Sequence, residues 1–389
     1  MSRTVYLLVL VLVAGALALA LWLARDREAP SAGIQATVAV REALDGGGAG
    51  FERALAPRAL SFPADHGPHP DFRTEWWYYT GNLRTAPGRH VGFQLTFFRI
   101  ALAPPAVERD AGPRASAWAT RQLYLAHFAV TDTAGGRFTA ASRASRGALD
   151  LAGARAQPYR VWVEGWSVEG EGAAASPVRL RAAEGEVAVD LTLATGKPVV
   201  LHGEGGLSRK GSEPGNASHY YSFTRMPARG VVRLGAESLD VAGEAWMDRE
   251  WSTSALGPEL AGWDWFAVQL EDGRELMYYR LRRRDGTADR FSAGTLVAAD
   301  GAAQRLSAAA VAVETLGHWT SPRSGVRYPA RWRLTVPSAD LRLELDPRLA
   351  DQELVVGPRY WEGAVAVTGS AAGRAIAGHG YAELVGYGE

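Results

Sequence analysis

Short runs of apolar, β-branched and aromatic residues follow one another from Leu60 to the end of the chain, separated by Gly, Asp, Asn and Pro turns. This spacing is typical of strands in a β-barrel or sandwich, and long amphipathic helical patterns are missing. The sequence therefore predicts an all-β fold. The clearest predicted strands are residues 76–83, 91–100, 122–131, 159–168, 187–193, 267–270, 276–282, 332–336 and 341–345.

A faint internal repeat divides this β region. The hairpin predicted at 77–83 and 91–99 resembles the one at 265–270 and 276–282, and a strand with a small-residue turn follows each. We therefore expect two tandem β domains, residues 60–229 and 230–389. Residues 99–117 are rich in Pro and Gly, which predicts a long loop of the kind that often covers a binding site.

The chain begins with a targeting segment. An apolar run at 5–23 follows Arg3 and precedes Arg25, and its length of about 19 residues suits either a signal peptide or a spanning helix. Residues 1–24 are predicted to be a signal peptide or membrane anchor, and residues 25–59 a linker. We expect the rest of the chain to be exported to a bacterial periplasm. If the N-terminal segment is not cleaved, it is the one part of the chain expected to contact the inner membrane.

Composition removes several classes of function. Basic and acidic residues balance at 42 each, so no electrostatic attraction to nucleic acid is expected. Cysteine is absent, which excludes disulfides, thiolate chemistry and Cys-ligated zinc. Tryptophan is abundant at 13 copies, as in proteins that line an apolar pocket or build an aromatic β core.

Familiar catalytic motifs are also missing. No nucleophile elbow, P-loop or complete dinucleotide-binding fingerprint occurs, which argues against serine-hydrolase, phosphoryl-transfer and hydride-transfer chemistry. The segment holding Asp65, His66, His69 and Asp71 has metal-binding residue types, but its Pro and Gly residues favour a loop that closes over a pocket. We expect neither a metal nor a cofactor.

Two charged or polar residues lie on apolar strand faces near the start of the β region. Glu75 shares a strand face with Trp77; we favour a buried ion pair with Arg99, and the alternative is that Glu75 lines a pocket. His127 follows Leu123 and Leu125 on one face, which favours a hydrogen-bonded core histidine over a catalyst.

The densest candidate chemistry lies in residues 243–273. On an extended strand Glu244, Trp246, Asp248 and Glu250 share one face. Carboxylates are costly to bury without partners, so a face of this kind belongs either to a functional cavity or to solvent.

Two further groups of candidates lie on either side of that strand. His219 and Tyr221 share a face of the preceding predicted strand, where the histidine is either a core residue or a proton-transfer group. Trp263 and Trp265 follow in the next strand.

Several long motifs occur together: HPDFRTEWWYYTGNL, GFQLTFFR, GEAWMDREWS, GWDWFAVQLEDGRELMYY and YWEGAV with GHGYAELVGY. In these motifs the chain resembles bacterial secreted proteins grouped with carotenoid 1,2-hydratase (hydroxyneurosporene synthase) and AttH, also labelled lipocalin-like or predicted secreted hydrolases. The resemblance covers about residues 60–389. It implies two lipocalin-like antiparallel β-barrels in tandem, with an apolar ligand held in or between them.

The resemblance also implies a catalytic group. Carotenoid hydratases of this family use a His-x-Trp pair and a later Tyr-x-Asp pair, which align here with His219 and Tyr221 and with Trp246 and Asp248. The two aromatic residues are exchanged. Asp248 would then protonate an alkene, His219 would hold or resupply the proton, and Tyr221 and Trp246 would stabilise a cation. The residues expected to contact the ligand are Glu75, Trp77, His127, Glu250, Trp263 and Trp265.

Two functions follow from these patterns and the resemblance. The first is cofactor-free hydration of a C=C bond in an isoprenoid or lipid. The alternative is a periplasmic lipid carrier that works without chemistry beside the permease of an ABC-type exporter, as the resemblance to AttH implies. A hydrolase has little support, because no activated nucleophile can be assembled from these residues.

Overall fold

The computed structural model describes residues 48–110, 116–170, 176–253, 256–357 and 359–388. The predicted signal peptide or anchor at 1–24 and the linker up to residue 47 lie outside the described residues. Among the described residues no helix is long and apolar enough to cross a membrane. The described residues all belong to one compact unit.

The described residues form two antiparallel sheets of thirteen and ten strands. The first sheet contains β1 (Thr74–Arg84), β2 (His90–Ala101), β3 (Gln122–Asp132), β4 (Arg137–Arg146), β5 (Ala152–Ala156), β6 (Tyr159–Val163), β7 (Trp166–Gly170), β8 (Val178–Glu184), β9 (Val187–Leu193), β10 (Val200–Leu201), β11 (Leu207–Arg209), β12 (Ala217–Leu234) and β13 (Glu237–Ser252). The second contains β14 (Leu260–Leu270), β15 (Glu275–Arg283), β16 (Ala293–Val297), β17 (Ala303–Ser307), β18 (Ala312–Thr320), β19 (Arg327–Val336), β20 (Leu341–Pro347), β21 (Glu353–Val355), β22 (Arg359–Ala371) and β23 (Arg374–Val385). A short helix, α1, spans Pro105–Asp110, and 3-10 turns span Ala64–His66, Ala308–Ala310 and Pro337–Ala339.

The two sheets repeat one strand order. The first runs β4-β3-β2-β1-β13-β12-β9-β8-β7-β6-β5, and the second runs β17-β16-β15-β14-β23-β22-β20-β19-β18. In both, a four-stranded meander is followed by the last strand of the sheet and then by the strand before it. Both sheets curl strongly, one into a barrel and the other into a half-barrel, which confirms the predicted all-β, lipocalin-like architecture.

Some predicted segments differ in detail. The run 159–168 is a hairpin of β6 and β7, because Glu164, at a positive φ of 53°, turns the chain between them. The predicted loop 99–117 contains the last residues of β2 and the short helix α1. The chain leaves the first sheet after Ser252 and enters the second at Leu260. The predicted domain boundary at 229/230 falls within β12, and the division into two separately folding domains stays a prediction.

Apolar side chains of the described residues are buried in three large clusters and two small ones. One core fills the interior of the first sheet and includes Trp77, Tyr221 and Trp251; a second fills the interior of the second sheet and includes Trp332 and Trp361. A third, here called the inter-sheet cluster, lies between the sheets. It consists of Tyr78, Tyr220, Trp246, Leu260, Trp265, Ala267, Met277, Tyr279, Leu281, Ala364 and Tyr381.

The inter-sheet cluster explains why β1 carries aromatic residues on both faces. Ten of the eleven β1 residues are buried or half-buried. One face of the strand, with Trp77, points into the first sheet, and the other, with Tyr78, packs against the second sheet. A strand covered on both faces needs apolar residues at successive positions rather than at alternate ones.

Candidate active site between the two sheets

A row of polar side chains crosses the first sheet on the face that meets the second. Residues directly opposite one another in antiparallel strands have side chains on the same face. Tyr78 of β1 lies opposite Asp248 of β13, which lies opposite Ser222 of β12. Strand register therefore places these three side chains side by side at the inter-sheet cluster.

A second row faces it from the other sheet. Trp265 of β14 lies opposite Glu383 of β23, which lies opposite Glu362 of β22. The two rows touch, because the Tyr78 hydroxyl donates a hydrogen bond to Oε1 of Glu362. Three acids thus meet between the sheets, and we call Asp248, Glu362 and Glu383 the acid cluster.

Asp248 is buried and receives three hydrogen bonds. Trp246 Nε1 donates to Oδ1 at 2.7 Å, Ser222 Oγ donates to the same oxygen, and Tyr220 donates to Oδ2 at 2.6 Å. Trp265 Nε1 in turn donates to the Tyr220 hydroxyl at 3.1 Å. Burial raises the pKa of Asp248 to about 7 against the lowering effect of these bonds, so the acid changes charge near neutral pH.

A buried histidine supports this arrangement from behind Ser222. His202 Nε2 lies 2.6 Å from Ser222 Oγ, and its Nδ1 lies 2.9 Å from Thr295 Oγ1. Because Ser222 gives its own proton to Asp248, His202 must donate from Nε2 and accept from Thr295 at Nδ1. Burial lowers the pKa of His202 to about 3, which keeps the imidazole neutral, and its two hydrogen bonds fix this tautomer.

The other two acids also resist ionisation. Burial and the neighbouring charge of Glu383 hold the pKa of Glu362 well above its usual range. Burial raises the pKa of Glu383 to about 7 despite a hydrogen bond of 2.5 Å from Trp263 Nε1. Asp248 and Glu383 thus have pKa values near neutral pH, where an acid or base catalyst is most effective.

Partly exposed side chains surround the inter-sheet cluster. Trp76, Leu256, Trp263 and Phe291 pack against the inter-sheet cluster and are only partly buried. Glu383 is likewise half-buried. We call these four partly exposed apolar side chains the aromatic rim.

Glu250 lies on the same face of β13 as Asp248, as predicted, but has its own partners. It accepts a hydrogen bond from Ser218 Oγ and pairs with Lys210 Nζ at 3.3 Å. Lys210 also lies 3.8 Å from the centre of the Tyr279 ring. The Lys210 ammonium thus contacts both an aromatic ring and a carboxylate at this side of the inter-sheet cluster.

His219 and Tyr221 do not join Asp248. In β12 they lie opposite Trp251 and Arg249, so both point into the first sheet, away from the second. His66 Nδ1 lies 2.6 Å from the Tyr221 hydroxyl, and burial lowers the pKa of His219 to about 4. The side chains that join Asp248 from β12 are instead their neighbours Tyr220 and Ser222. The residues of β12 that contact Asp248 are thus one position away from the predicted His219 and Tyr221. A step of one residue along a strand moves a side chain to the opposite face of the sheet.

Glu75 and Trp77 also point into the first sheet. Glu75 is fully buried and paired with Arg99, as favoured from the sequence, and with Arg249. Although burial opposes ionisation, the charges of Arg99 and Arg249 hold the pKa of Glu75 well below its usual range. The guanidinium of Arg249 also lies 3.9 Å from the centre of the Trp77 ring.

The segment 65–71, considered above as a metal site, covers this end of the first sheet. His69 Nε2 lies 2.9 Å from Asp65 Oδ1, and its ring stacks on Trp251 at 3.8 Å. Trp77 Nε1 donates to the backbone carbonyl of His66 at 2.8 Å. Among the described residues no group of three or more His, Asp or Glu side chains is arranged to hold a metal ion.

His127 lies on the inter-sheet face, one strand beyond β2. Its Nδ1 is 2.7 Å from the Tyr360 hydroxyl of β22, and its Nε2 has no hydrogen-bond partner within the described residues. Burial lowers the pKa of His127 to about 4, so it is neutral. Of the predicted ligand contacts, Glu250, Trp263 and Trp265 surround Asp248, whereas His127 lies further along this face.

A separate surface cleft of about 360 Å³ opens at the turn end of the first sheet. Charged residues line much of it, including Asp132, Arg137, Glu184 and Glu186, and no member of the acid cluster does. A charged, open cleft suits an apolar ligand poorly. The chemistry-bearing groups lie between the sheets instead.

Sequence reasoning missed six residues of this site. They are Tyr78, His202, Tyr220, Ser222, Glu362 and Glu383. A usable signal was present for the two glutamates, since each follows an aromatic residue closely in a motif, YWEGAV and GYAELV. For Tyr220 and Ser222 the missing knowledge was the register of β12 against β13.

The pKa of Asp248 leads to a prediction about stability. The unfolded acid ionises near its ordinary pKa of 3.8, but the folded one holds its proton up to about pH 7. Folded protein thus binds more protons than unfolded protein across this window, and stability falls as the pH rises through it. The penalty is complete above pH 7 and amounts to about 4 kcal/mol from 1.36 kcal/mol per pKa unit.

Asp248→Asn removes this penalty. Urea unfolding at about pH 5 and about pH 8 should show a smaller loss of unfolding free energy in the variant than in the wild type. Glu383 contributes a parallel dependence that both proteins keep, so the slope shrinks without vanishing. Identical slopes in the two proteins would mean that Asp248 ionises normally in the folded state.

Comparison with known proteins agrees with this architecture. The family model for AttH-like proteins matches residues 53–387. A crystal structure of a candidate AttH protein from Nitrosomonas europaea is 36% identical, with a TM-score of 0.73, over 86% of this chain and 100% of that one. A search of curated proteins gave no match.

Two more distant structures share the fold. Kievitone hydratase from Nectria haematococca is 15% identical, with a TM-score of 0.64, over 86% of this chain and 95% of that one. CghA in complex with Sch210972 is 16% identical, with a TM-score of 0.51, over 87% of this chain and 97% of that one. The family match over most of the chain and the 36% identity lead to one conclusion: this chain belongs to the AttH-like family.

Proposed function

We propose that this protein binds an apolar, unsaturated ligand of isoprenoid or lipid type at the aromatic rim and adds water to one of its C=C bonds. The reaction would be acid-catalysed and would use no cofactor. The observation that carries the proposal is Asp248, a buried acid with a pKa of about 7 among aromatic side chains between two sheets. An acid or base is most effective when its pKa lies near the working pH.

The surrounding aromatic groups suit this chemistry. Protonation of a trisubstituted alkene gives a tertiary carbocation, which electron-rich ring faces stabilise by cation–π attraction. Trp246 and Trp265 meet edge to face at 6.2 Å, and Tyr78 meets Trp265 at 5.2 Å. The donors on Asp248 fix its carboxyl group in one orientation, which is the preorganisation that catalysis needs.

Kievitone hydratase has this fold, which supports hydration as chemistry that the fold can host. Carotenoid 1,2-hydratase activity is the finer form of the proposal. Tyr221 and Trp246 are exchanged relative to the aromatic pair of the carotenoid hydratases, and Tyr221 points away from Asp248. Both differences argue for a ligand whose shape differs from that of a carotenoid. Export to the periplasm and attachment through residues 1–24 complete the proposal.

The rival function is a lipid carrier that performs no chemistry and hands its ligand to a transporter permease. The aromatic rim would serve it equally well. A carrier has no need of buried acids whose pKa values are raised towards neutral pH, which favours the enzyme. An extraction experiment separates the two functions. The molecules bound to protein purified from its native host are extracted, identified by mass spectrometry and incubated with the protein again. A carrier leaves them unchanged.

Ligand binding at the aromatic rim can be tested with a fluorescent polyene fatty acid, cis-parinaric acid. Trp263→Ala should weaken its binding about tenfold, since aromatic contacts of this kind contribute about 1 kcal/mol beyond their buried area. Trp319→Ala is the matched control, because Trp319 is also partly buried in the second sheet but stacks on Tyr328 inside it. Equal affinities of the two variants would place the ligand elsewhere.

A further inference from the structure

Glu362 differs from Asp248 in how its two carboxyl oxygens are bonded. Oε1 accepts a hydrogen bond from the Tyr78 hydroxyl of the opposite sheet. Oε2 has no hydrogen-bond partner within the described residues, although the side chain is only 1% exposed. Buried polar atoms are nearly always partnered, so an unpartnered oxygen at a candidate site is a functional signal.

The bonding of Oε1 locates the acid proton. Burial and the charge of Glu383 hold the pKa of Glu362 well above its usual range, which favours the protonated acid. Tyr78 donates to Oε1, which must therefore be the carbonyl oxygen of the acid. The proton is on Oε2, the oxygen that has no partner in the protein.

Asp248 differs from Glu362, because neither of its carboxyl oxygens lacks a hydrogen-bond partner. Both of its oxygens already accept hydrogen bonds, from Trp246, Ser222 and Tyr220. Three donors favour the ionised form, and Oδ2, which accepts only from Tyr220, keeps a lone pair that can take a proton. Asp248 is thus better suited to receive a proton than to donate one.

We propose that Glu362 donates, from Oε2, the proton that begins the reaction, and that Asp248 receives the proton released by the attacking water. This assignment rests on the proposed function and makes it more specific. Tyr78 acts through Glu362 and is a positioning residue. Its place is fixed by register, because it lies opposite Asp248 on the adjacent strand while it bonds to Glu362 on the other sheet.

The steps balance without a further reactant. The π electrons of the alkene form a C–H bond with the Glu362 proton and leave a tertiary cation and a carboxylate. A lone pair of water forms the C–O bond, and the proton that water loses passes to Asp248. Asp248 returns that proton to solvent, and Glu362 regains one from solvent through Glu383, its half-buried cross-strand neighbour. The sum is alkene plus water to alcohol.

Two readouts in D2O separate the two acids, with squalene in detergent micelles as the probe. Deuterium incorporation into recovered squalene reports reversible proton transfer, and formation of alcohol reports capture of the cation by water. Glu362→Gln should lower both by about a hundredfold or more, since positioned acids contribute about 10²–10⁴ in rate. Asp248→Asn should lose the alcohol and keep the deuterium exchange.

Tyr78→Phe tests the positioning role. The Tyr78 hydrogen bond lowers the pKa of Glu362, so its removal should shift the alkaline limb of the pH–rate profile for deuterium exchange to higher pH. A purely structural role for Tyr78 would lower the rate without moving that limb.

Glu353→Gln is the matched control. Glu353 is a buried glutamate of the same sheet that accepts a hydrogen bond from a tyrosine, Tyr328, at 2.9 Å. It lies opposite Trp361 and so points away from the acid cluster, into the second sheet. This variant should keep both activities, and thermal unfolding of each variant shows that the compared proteins are folded.

Infrared difference spectroscopy tests the position of the proton without any substrate. The wild type at about pH 8 should show the C=O stretch of a protonated carboxylic acid that Glu362→Gln removes and Glu353→Gln keeps. Undiminished exchange in Glu362→Gln would overturn the assignment, as would the absence of this band. If the wild type neither exchanges nor hydrates squalene, the proposed function fails for this class of ligand, and the infrared band alone decides whether Glu362 carries the proton.

Discussion

Asp248→Asn is expected to lower alkene hydration by about 10²–10⁴, the range typical of a lost general acid or base. Asparagine has the shape of aspartate and can still accept from Trp246, Ser222 or Tyr220, but it cannot take a proton from water. The variant should remain folded, because burial makes the charge on Asp248 a cost to stability at neutral pH. Turnover of squalene per mole of folded protein measures the effect.

The control for this variant is Asp264→Asn. Asp264 is also a buried aspartate whose pKa burial raises, but it pairs with Arg282 at 2.9 Å and with the Tyr387 hydroxyl at 2.8 Å. It lies next to Trp265 in the strand and therefore points to the other face of β14. Asp264→Asn should reduce stability and leave turnover unchanged, and equal losses in both variants would show that hydration depends on folding alone.

Glu75→Gln is expected to reduce the free energy of unfolding by about 3–5 kcal/mol, the usual cost of breaking a buried ion pair from one side. Glu75 is fully buried between Arg99 and Arg249, whose guanidinium groups are almost entirely buried too. Without the carboxylate, two cations remain in the interior without their counter-charge. Urea unfolding of the wild type and the variant measures the difference.

The pH dependence of this effect has a defined sign. Because the folded pKa of Glu75 is held well below its usual value, its stabilisation is present above the unfolded pKa near 4.5 and is lost as the pH falls through the folded value. The variant should thus lose stability mainly above about pH 5.

Asp346→Asn provides the comparison for Glu75→Gln, because Asp346 forms an exposed pair with Arg331 and both side chains are 48% exposed. Its expected cost is below about 1 kcal/mol. A comparable cost for the two variants would mean that the Glu75 ion pairs act like surface pairs.

The strand faces were readable from the sequence. Alternation along one strand placed Trp246, Asp248 and Glu250 on one face, and all three lie between the sheets. The same rule grouped Glu75 with Trp77, and the pairing of Glu75 with Arg99 followed from the cost of burying a charge. These inferences need only the period of a strand and the local sequence.

The partners of Asp248 were not readable in this way. A shift of one residue in the pairing of two strands exchanges every side chain between faces, and the sequence does not state the register. The register brings Ser222 opposite Asp248 and turns His219 to the other side. Glu362 and Glu383 lie more than a hundred residues after Asp248 in the sequence and reach the site only because the two sheets pack face to face.

The central claim is that the acids between the two sheets add water to an alkene without a cofactor. The most direct test is to incubate the chelator-treated wild-type protein with squalene in oxygen-18 water and to analyse the extract by mass spectrometry. We expect an alcohol that contains one oxygen-18 atom, and we expect Asp248→Asn to lose it. Squalene that binds to the protein and is recovered unchanged, with no oxygen-18 product, would contradict the claim and favour a carrier.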